Sequence, residues 1–141
     1  MSARALSVRA TTASLADVRR AVGAWAEAAG LPESAARRLV LAVDEAVSNA
    51  ILHSLGGDAR RRVRLSAEAL PGGLTVSVVY GGSRFDPTEA RVLAPEEALR
   101  QRATHGYGLT LIRRLADDVR VSHDGGRNAV RLTVRTRPAG G

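Results

Sequence analysis

No cysteine occurs in the 141 residues, which excludes disulfides, Cys-based zinc sites and thiol nucleophiles together and fits a reducing compartment. Lysine is absent as well, so arginine carries the whole basic side of a formal charge of +7. Arg/Ala-rich coding produces that bias without any functional demand. The aromatic residues are Trp25, Tyr80, Phe85 and Tyr107 alone, so Val, Leu, Ile and Ala must fill the core. No segment approaches the ~18 consecutive apolar residues of a membrane span. Met1 to Arg20 carries charge throughout and lacks the apolar stretch of a signal peptide. The expectation is a soluble, cytoplasmic protein without membrane contact. Direct nucleic-acid binding is disfavoured: the arginines run from Arg4 to Arg137, and stacking aromatics are nearly absent.

The length suits one core that buries on the order of two thirds of the unfolded surface. No repeat, low-complexity tract or Pro/Gly-rich linker divides the chain, so residues 1–141 read as a single domain with disordered ends at about 1–2 and 138–141. Leu6 and Val8 alternate with polar neighbours, as in a short strand. Ser14 and Asp17 form a capping-box-like start to a helix carrying Leu15, Val18, Val22 and Trp25, which Gly30 ends. A second helix opens at Pro32-Glu33 and runs to about Ser54, with Leu39, Val43, Ala46, Val47 and Ala50 as its apolar stripe and Gly56-Gly57 beyond it.

The period then changes to two. Val63, Leu65 and Ala67 alternate with Arg62, Arg64 and Ser66, and after Pro71-Gly72-Gly73 so do Leu74, Val76 and Val78 with Thr75 and Ser77. Gly81 to His105 has no sustained period and reads as a long loop with one helical turn near Glu96 to Arg100. Gly108 to Ala116 reads as a third helix. Val119 and Val121 pair across Asp124-Gly125 with Val130, Leu132 and Val134 in a second hairpin. A sheet with one aliphatic face needs a cover, and three amphipathic helices are available. The expected fold is an α/β two-layer sandwich: a mixed, mostly antiparallel sheet covered on one face by three helices.

Three short patterns stand out. On the second helix Glu45, Asn49 and His53 recur every four residues and share a stripe, although a solvated face shows the same spacing. Gly106-Tyr107-Gly108-Leu109 opens the third helix, where glycines let backbone N–H groups approach a phosphate or merely form a flexible joint. Gly81-Gly82-Ser83-Arg84-Phe85-Asp86-Pro87 follows the second hairpin strand and also suits an ordinary turn.

Taken together and in this order, the patterns resemble those of the anti-sigma-factor serine/threonine kinases of the GHKL ATPase superfamily. Leu41-Ala42-Val43-Asp44-Glu45-Ala46-Val47-Ser48-Asn49-Ala50-Ile51-Leu52-His53 is similar to that family's N box. Val78 to Pro87 is similar to its first glycine box, and His105 to Leu111 to its second. The resemblance covers nearly the whole chain. It implies a Bergerat-type ATP-binding fold, with ATP and Mg²⁺ as cofactors and serine kinase activity. It further implies partner switching between a sigma factor and an anti-anti-sigma factor, and a homodimer, toward which the apolar residues of Leu6 to Val8 also point. By the same resemblance Asn49 would coordinate Mg²⁺ and Glu45 would be the catalytic general base. Tyr80, Gly82, Gly106, Tyr107, Gly108 and Leu109 would line the nucleotide, under a lid formed by residues 83–104.

The chain departs from that pattern at two positions. Tyr80 stands where the family has the Asp that receives the adenine amino group, and Arg84 replaces a glycine of the same box. Loss of one charge-assisted hydrogen bond costs about 1.5–3 kcal/mol, or tenfold and more in affinity. A nucleotide-binding-deficient pseudo-kinase that holds a protein partner is therefore the second reading. A basic nucleic-acid-binding domain, working through Arg62, Arg64, Arg131 and Arg135, is a weaker third.

Overall fold

The computed structural model describes residues 4–54, 58–81 and 109–136, with the side chains of residues 53, 54 and 109 excepted. Five strands, β1 (Arg4–Arg9), β2 (Arg62–Leu70), β3 (Gly73–Gly81), β4 (Asp118–Asp124) and β5 (Arg127–Arg135), form one sheet in the order β1-β2-β3-β5-β4. Of the mixed, mostly antiparallel sheet expected, all four observed pairings are antiparallel. Three helices, α1 (Leu15–Ala28), α2 (Glu33–Asn49) and α3 (Leu109–Leu115), cover one face. The expected lid, the helical turn near Glu96 and the chain ends lie outside the described residues.

Period-two alternation dictates which face is covered. Val8 on β1, Val63 and Leu65 on β2, Leu74, Val76 and Val78 on β3, and Val130, Leu132 and Val134 on β5 all point inward and are buried. Their cover is Val18, Val22 and Ala26 of α1, Leu39, Val43 and Val47 of α2, and Ile112 of α3. Each fully buried Leu or Val contributes about 1.5–3 kcal/mol of transfer free energy, so this aliphatic layer replaces the missing aromatic core. Val8 is buried and Leu6 packs against the same core. Leu6 keeps part of its surface outside that core, and Ala5 is exposed.

Local chemistry sets the ends of the elements. A 3₁₀ turn at Thr12–Ser14 precedes α1, and Ser14 has helical torsions without a side-chain cap bond. The expected capping box is therefore not formed; the chain turns one step earlier, where the Ser14 N–H donates to the Thr11 carbonyl at 3.0 Å. At the other end Gly30 takes a φ of +78°. The Gly30 N–H donates to the Glu27 carbonyl and the Leu31 N–H to the Ala26 carbonyl, the paired bonds of a Schellman ending. Hairpin β2–β3 turns on Pro71-Gly72, with Gly72 at a φ of +73°. Hairpin β4–β5 turns on Gly125-Gly126, both at positive φ, one residue later than the Asp124-Gly125 expected.

Helix α2 is the centre of the cover, packed on α1, α3, β3 and β5. It does not simply run on to Ser54. After Asn49 the backbone widens into a single π turn at Ala50–Ser54, a feature that recurs at functional sites. Arg38 of α2 ties in the last helix: its guanidinium donates to the Leu115 carbonyl at 3.2 Å and lies 3.6 Å from the Asp117 carboxylate.

Candidate functional site

The apolar stripe read from the sequence of α2 is wholly buried, but burial extends beyond it. Ala42, Glu45, Ser48 and Asn49 are buried too. With α1 and α3 on its flanks and the sheet beneath, α2 has little left to expose near its C-terminal end. Glu45 and Asn49 retain only 8% and 3% of their exposure, which rules out a solvated face. Four residues apart, they lie one turn above the other on the same side. His53, the third residue of the expected stripe, falls in the π turn, and its side chain lies outside the described residues.

The neighbouring acid is engaged differently. Asp44 turns toward α1 and pairs with Arg19 at 3.0 Å, with both side chains partly in solvent. Such a pair contributes at most about 1 kcal/mol. Of two consecutive carboxylates, then, one fastens a helix and the other enters the interior beside Asn49.

The Asn49 amide is the most telling atom group. Its Nδ2 is buried with no hydrogen-bond partner among the described residues. Leaving a buried donor unsatisfied costs about 1–3 kcal/mol. An amide in this state suits a ligand at either end: Nδ2 can donate to a phosphate oxygen, and the carbonyl oxygen is a hard donor suited to Mg²⁺. The residues present at this end fit a metal-bound phosphate. The described residues hold no cluster of three or more His, Cys, Asp or Glu side chains, so any metal here would lean on Asn49 and on the phosphates themselves.

Tyr80 lies on the inward face of β3, between Val63 of β2 and Asn128 of β5 in register, and retains 3% of its exposure. Burial pushes its phenol up to about 12, so it stays neutral at physiological pH. A neutral hydroxyl can make a hydrogen bond at this position but not the charge-assisted bond of a carboxylate. Asn128, at 1% exposure, continues the same inward row, and its Oδ1 lies 3.0 Å from Nδ1 of His123 on β4. The sequence reading passed over this polar row. Its signal was present, since Asn128 occupies an inward place in the alternation otherwise held by Val130, Leu132 and Val134. Of the remaining expected site residues, Gly82, Gly106, Tyr107 and Gly108 lie outside the described residues. Leu109 is described by its backbone alone, as the first residue of α3.

The fold and this donor set have counterparts. A curated relative, the serine-protein kinase RsbW of Listeria innocua, is 29% identical over 116 residues, covering 79% of this chain and 74% of the relative. The solved RsbU and RsbW domains of Rv1364c from Mycobacterium tuberculosis superpose with a TM-score of 0.67 at 21% identity. The match covers 96% of this chain but only 32% of that one, so the present chain spans about a third of the solved protein. A chain of the SiaB–SiaC complex from Pseudomonas aeruginosa matches with a TM-score of 0.58 at 16% identity, covering 92% of this chain and 88% of that one. The description of the histidine kinase-like ATPase domain matches residues 8–134. With the expected fold observed and nearly the full length matched, the chain belongs to the histidine kinase-like ATPase domain family.

Proposed function

We propose that the protein is a partner-switching regulator in the cytoplasm, an anti-sigma-like chain that binds a sigma factor and is released by an anti-anti-sigma protein. One observation carries the reading. A family member has kept a buried carboxylate and a buried amide one turn apart on α2, with the amide's Nδ2 left without a hydrogen-bond partner among the described residues. A purely structural interior position would have no use for that cost. The similarity to a serine-protein kinase supports ATP and Mg²⁺ as the ligands and a serine hydroxyl of the competing partner as the acceptor.

In this reading Asn49 holds the metal-bearing phosphate end, and Glu45 accepts the proton of the acceptor hydroxyl as its oxygen attacks. The metal would supply charge neutralisation on the phosphates. Burial of Glu45 keeps bulk water from its carboxylate. Gly82, Gly106, Tyr107, Gly108 and Leu109 would surround the nucleotide. A homodimer belongs to the same proposal.

Tyr80 favours a second reading. Its neutral, buried ring takes the place of the carboxylate that would receive the adenine, which is what a protein-binding module without turnover would tolerate. Asn49→Leu distinguishes the two. If the orphaned amide serves a nucleotide, the substitution abolishes Mg·ATP binding in calorimetry while stabilising the ligand-free protein by about 1 kcal/mol or more. If wild type shows no Mg·ATP binding in the millimolar range, the nucleotide reading falls and the binding-module reading stands.

A further inference from the structure

The sheet has a second face, turned away from the helices. By register it presents Arg62, Arg64, Arg127, Arg131 and Arg135, with Arg120 on the edge strand β4. Several are already engaged. Arg131 lies 3.8 Å from Glu68, Arg120 lies 3.1 Å from Asp118, and the Arg62 guanidinium donates to the Ser7 hydroxyl and carbonyl at 2.8 and 2.9 Å. Arg9, Arg64, Arg127 and Arg135 are exposed on this face with no ion-pair or hydrogen-bond partner for their side chains among the described residues, and two of them, Arg64 and Arg127, line one hollow.

Between these two arginines the face sinks into a hollow of about 430 Å³. Besides the two arginines it is lined by Ala5, Leu6, Ser7, Leu65, Ser66 and Val79. A partly apolar lining beside two uncommitted cations asks a ligand to bring negative charge and an apolar group together. We infer that this open face, at Arg64, Arg127 and Val79, docks an acidic segment of a partner protein whose carboxylates flank an apolar side chain seated in the hollow.

Charge complementarity selects that occupant over others. A second copy of the same face would set arginine against arginine. A nucleic-acid backbone would satisfy the cations but leave Val79 covered by nothing apolar, and Glu68, Asp118 and Asp124 interrupt the positive field that a phosphate track needs. Among the described residues, no aromatic side chain of the five strands stands on this face to stack a base. The surface lies across the sheet from Glu45 and Asn49, so the inference does not depend on whether nucleotide binds there.

The test is fluorescence anisotropy with three labelled probes of matched charge: a peptide alternating Glu and Leu, an all-Glu peptide and a short DNA duplex. The alternating peptide is expected to bind most tightly. Arg64→Gln/Arg127→Gln should weaken it by about three- to thirty-fold, the range for two partly solvated ion pairs. The charge-matched control Arg20→Gln/Arg37→Gln, on the helical side, should change it less than about two-fold. Val79→Asn should remove the advantage of the alternating peptide over the all-Glu one. Preference for the duplex assigns the face to nucleic acid and overturns the inference, as does equal loss in the two double variants. Absence of peptide binding at low salt overturns it too.

Discussion

Replacing Tyr80 by Asp should trade stability for nucleotide affinity, and both sides of that trade can be estimated. The ring retains 3% of its exposure in a row between Val63 and Asn128. Removing an aromatic side chain from such a place costs about 3–5 kcal/mol, and a carboxylate left there without a partner adds to the loss. For a chain of this length each kcal/mol corresponds to about 3–6 °C, so the ligand-free variant should melt on the order of 10–25 °C below wild type. Against this, a carboxylate receiving an adenine amino group returns about 1.5–3 kcal/mol of binding, a gain of ten-fold or more. Ligand at a hundred times its dissociation constant adds back only about 2.7 kcal/mol. The variant should therefore bind Mg·ATP more tightly than wild type and still melt below it when saturated. Calorimetry gives the first quantity and thermal circular dichroism, with and without Mg·ATP, the second. An unchanged melting temperature would mean that the ring contributes little to the interior. Unchanged affinity in a folded variant would mean that position 80 does not read the base, and the placement of the nucleotide against β3 would be wrong.

The phenol of Tyr80 supplies a second test. A folded value near 12 against about 10 in the unfolded chain means that the native state holds its proton longer, so this contribution to stability is intact below about pH 10 and lost as pH rises toward 12. Alkaline titration of phenolate absorbance should show a late step that Tyr80→Phe removes; ionisation near pH 10 in the folded protein contradicts the burial argument. Gly73→Ala should destabilise the first hairpin by about 1–3 kcal/mol in urea unfolding. Its Cβ would stand 2.8 Å from the Val134 carbonyl oxygen and 3.4 Å from the Arg135 Cα, backbone atoms that cannot step aside. A stability within experimental error of wild type would show that β3 and β5 can part locally at no cost.

The strands were legible because alternation is a strong signal. Once Val63, Leu65, Leu74, Val76, Val130 and Leu132 are set inward, the face that each residue of the two hairpins takes follows, and the structure has those faces. Turn chemistry was legible to within a residue: Asp124-Gly125 is a good hairpin turn, but Gly125-Gly126 admits positive φ at both central places without cost. Ser14 misled because a serine three residues before an acid looks the same whether it caps a helix or sits in the 3₁₀ turn ahead of one. The pair Glu45 and Asn49 could be picked out by spacing and resemblance. That it is buried could not, because its burial comes from α1, α3 and the sheet closing around α2 rather than from anything local. The π turn after Asn49 has no sequence mark that we can identify.

Arg38 gives the short helix α3 a mechanical character. By holding the Leu115 carbonyl and approaching Asp117, it fixes the C-terminal end of α3 to the middle of α2. Asp117 is itself tied to the sheet: its N–H donates to the Thr133 carbonyl at 2.8 Å, and its carboxylate accepts from the Arg135 N–H at 2.7 Å. The three elements therefore meet at one fulcrum. A helix of seven residues is a lever arm of about 10 Å, and a push on its first turn becomes a tilt about that fulcrum instead of a slide along the sheet. The strands keep their register while the angle between α3 and α2 changes, so a movement near Leu109 would reach α2 as torque at Arg38, less than two turns before Glu45.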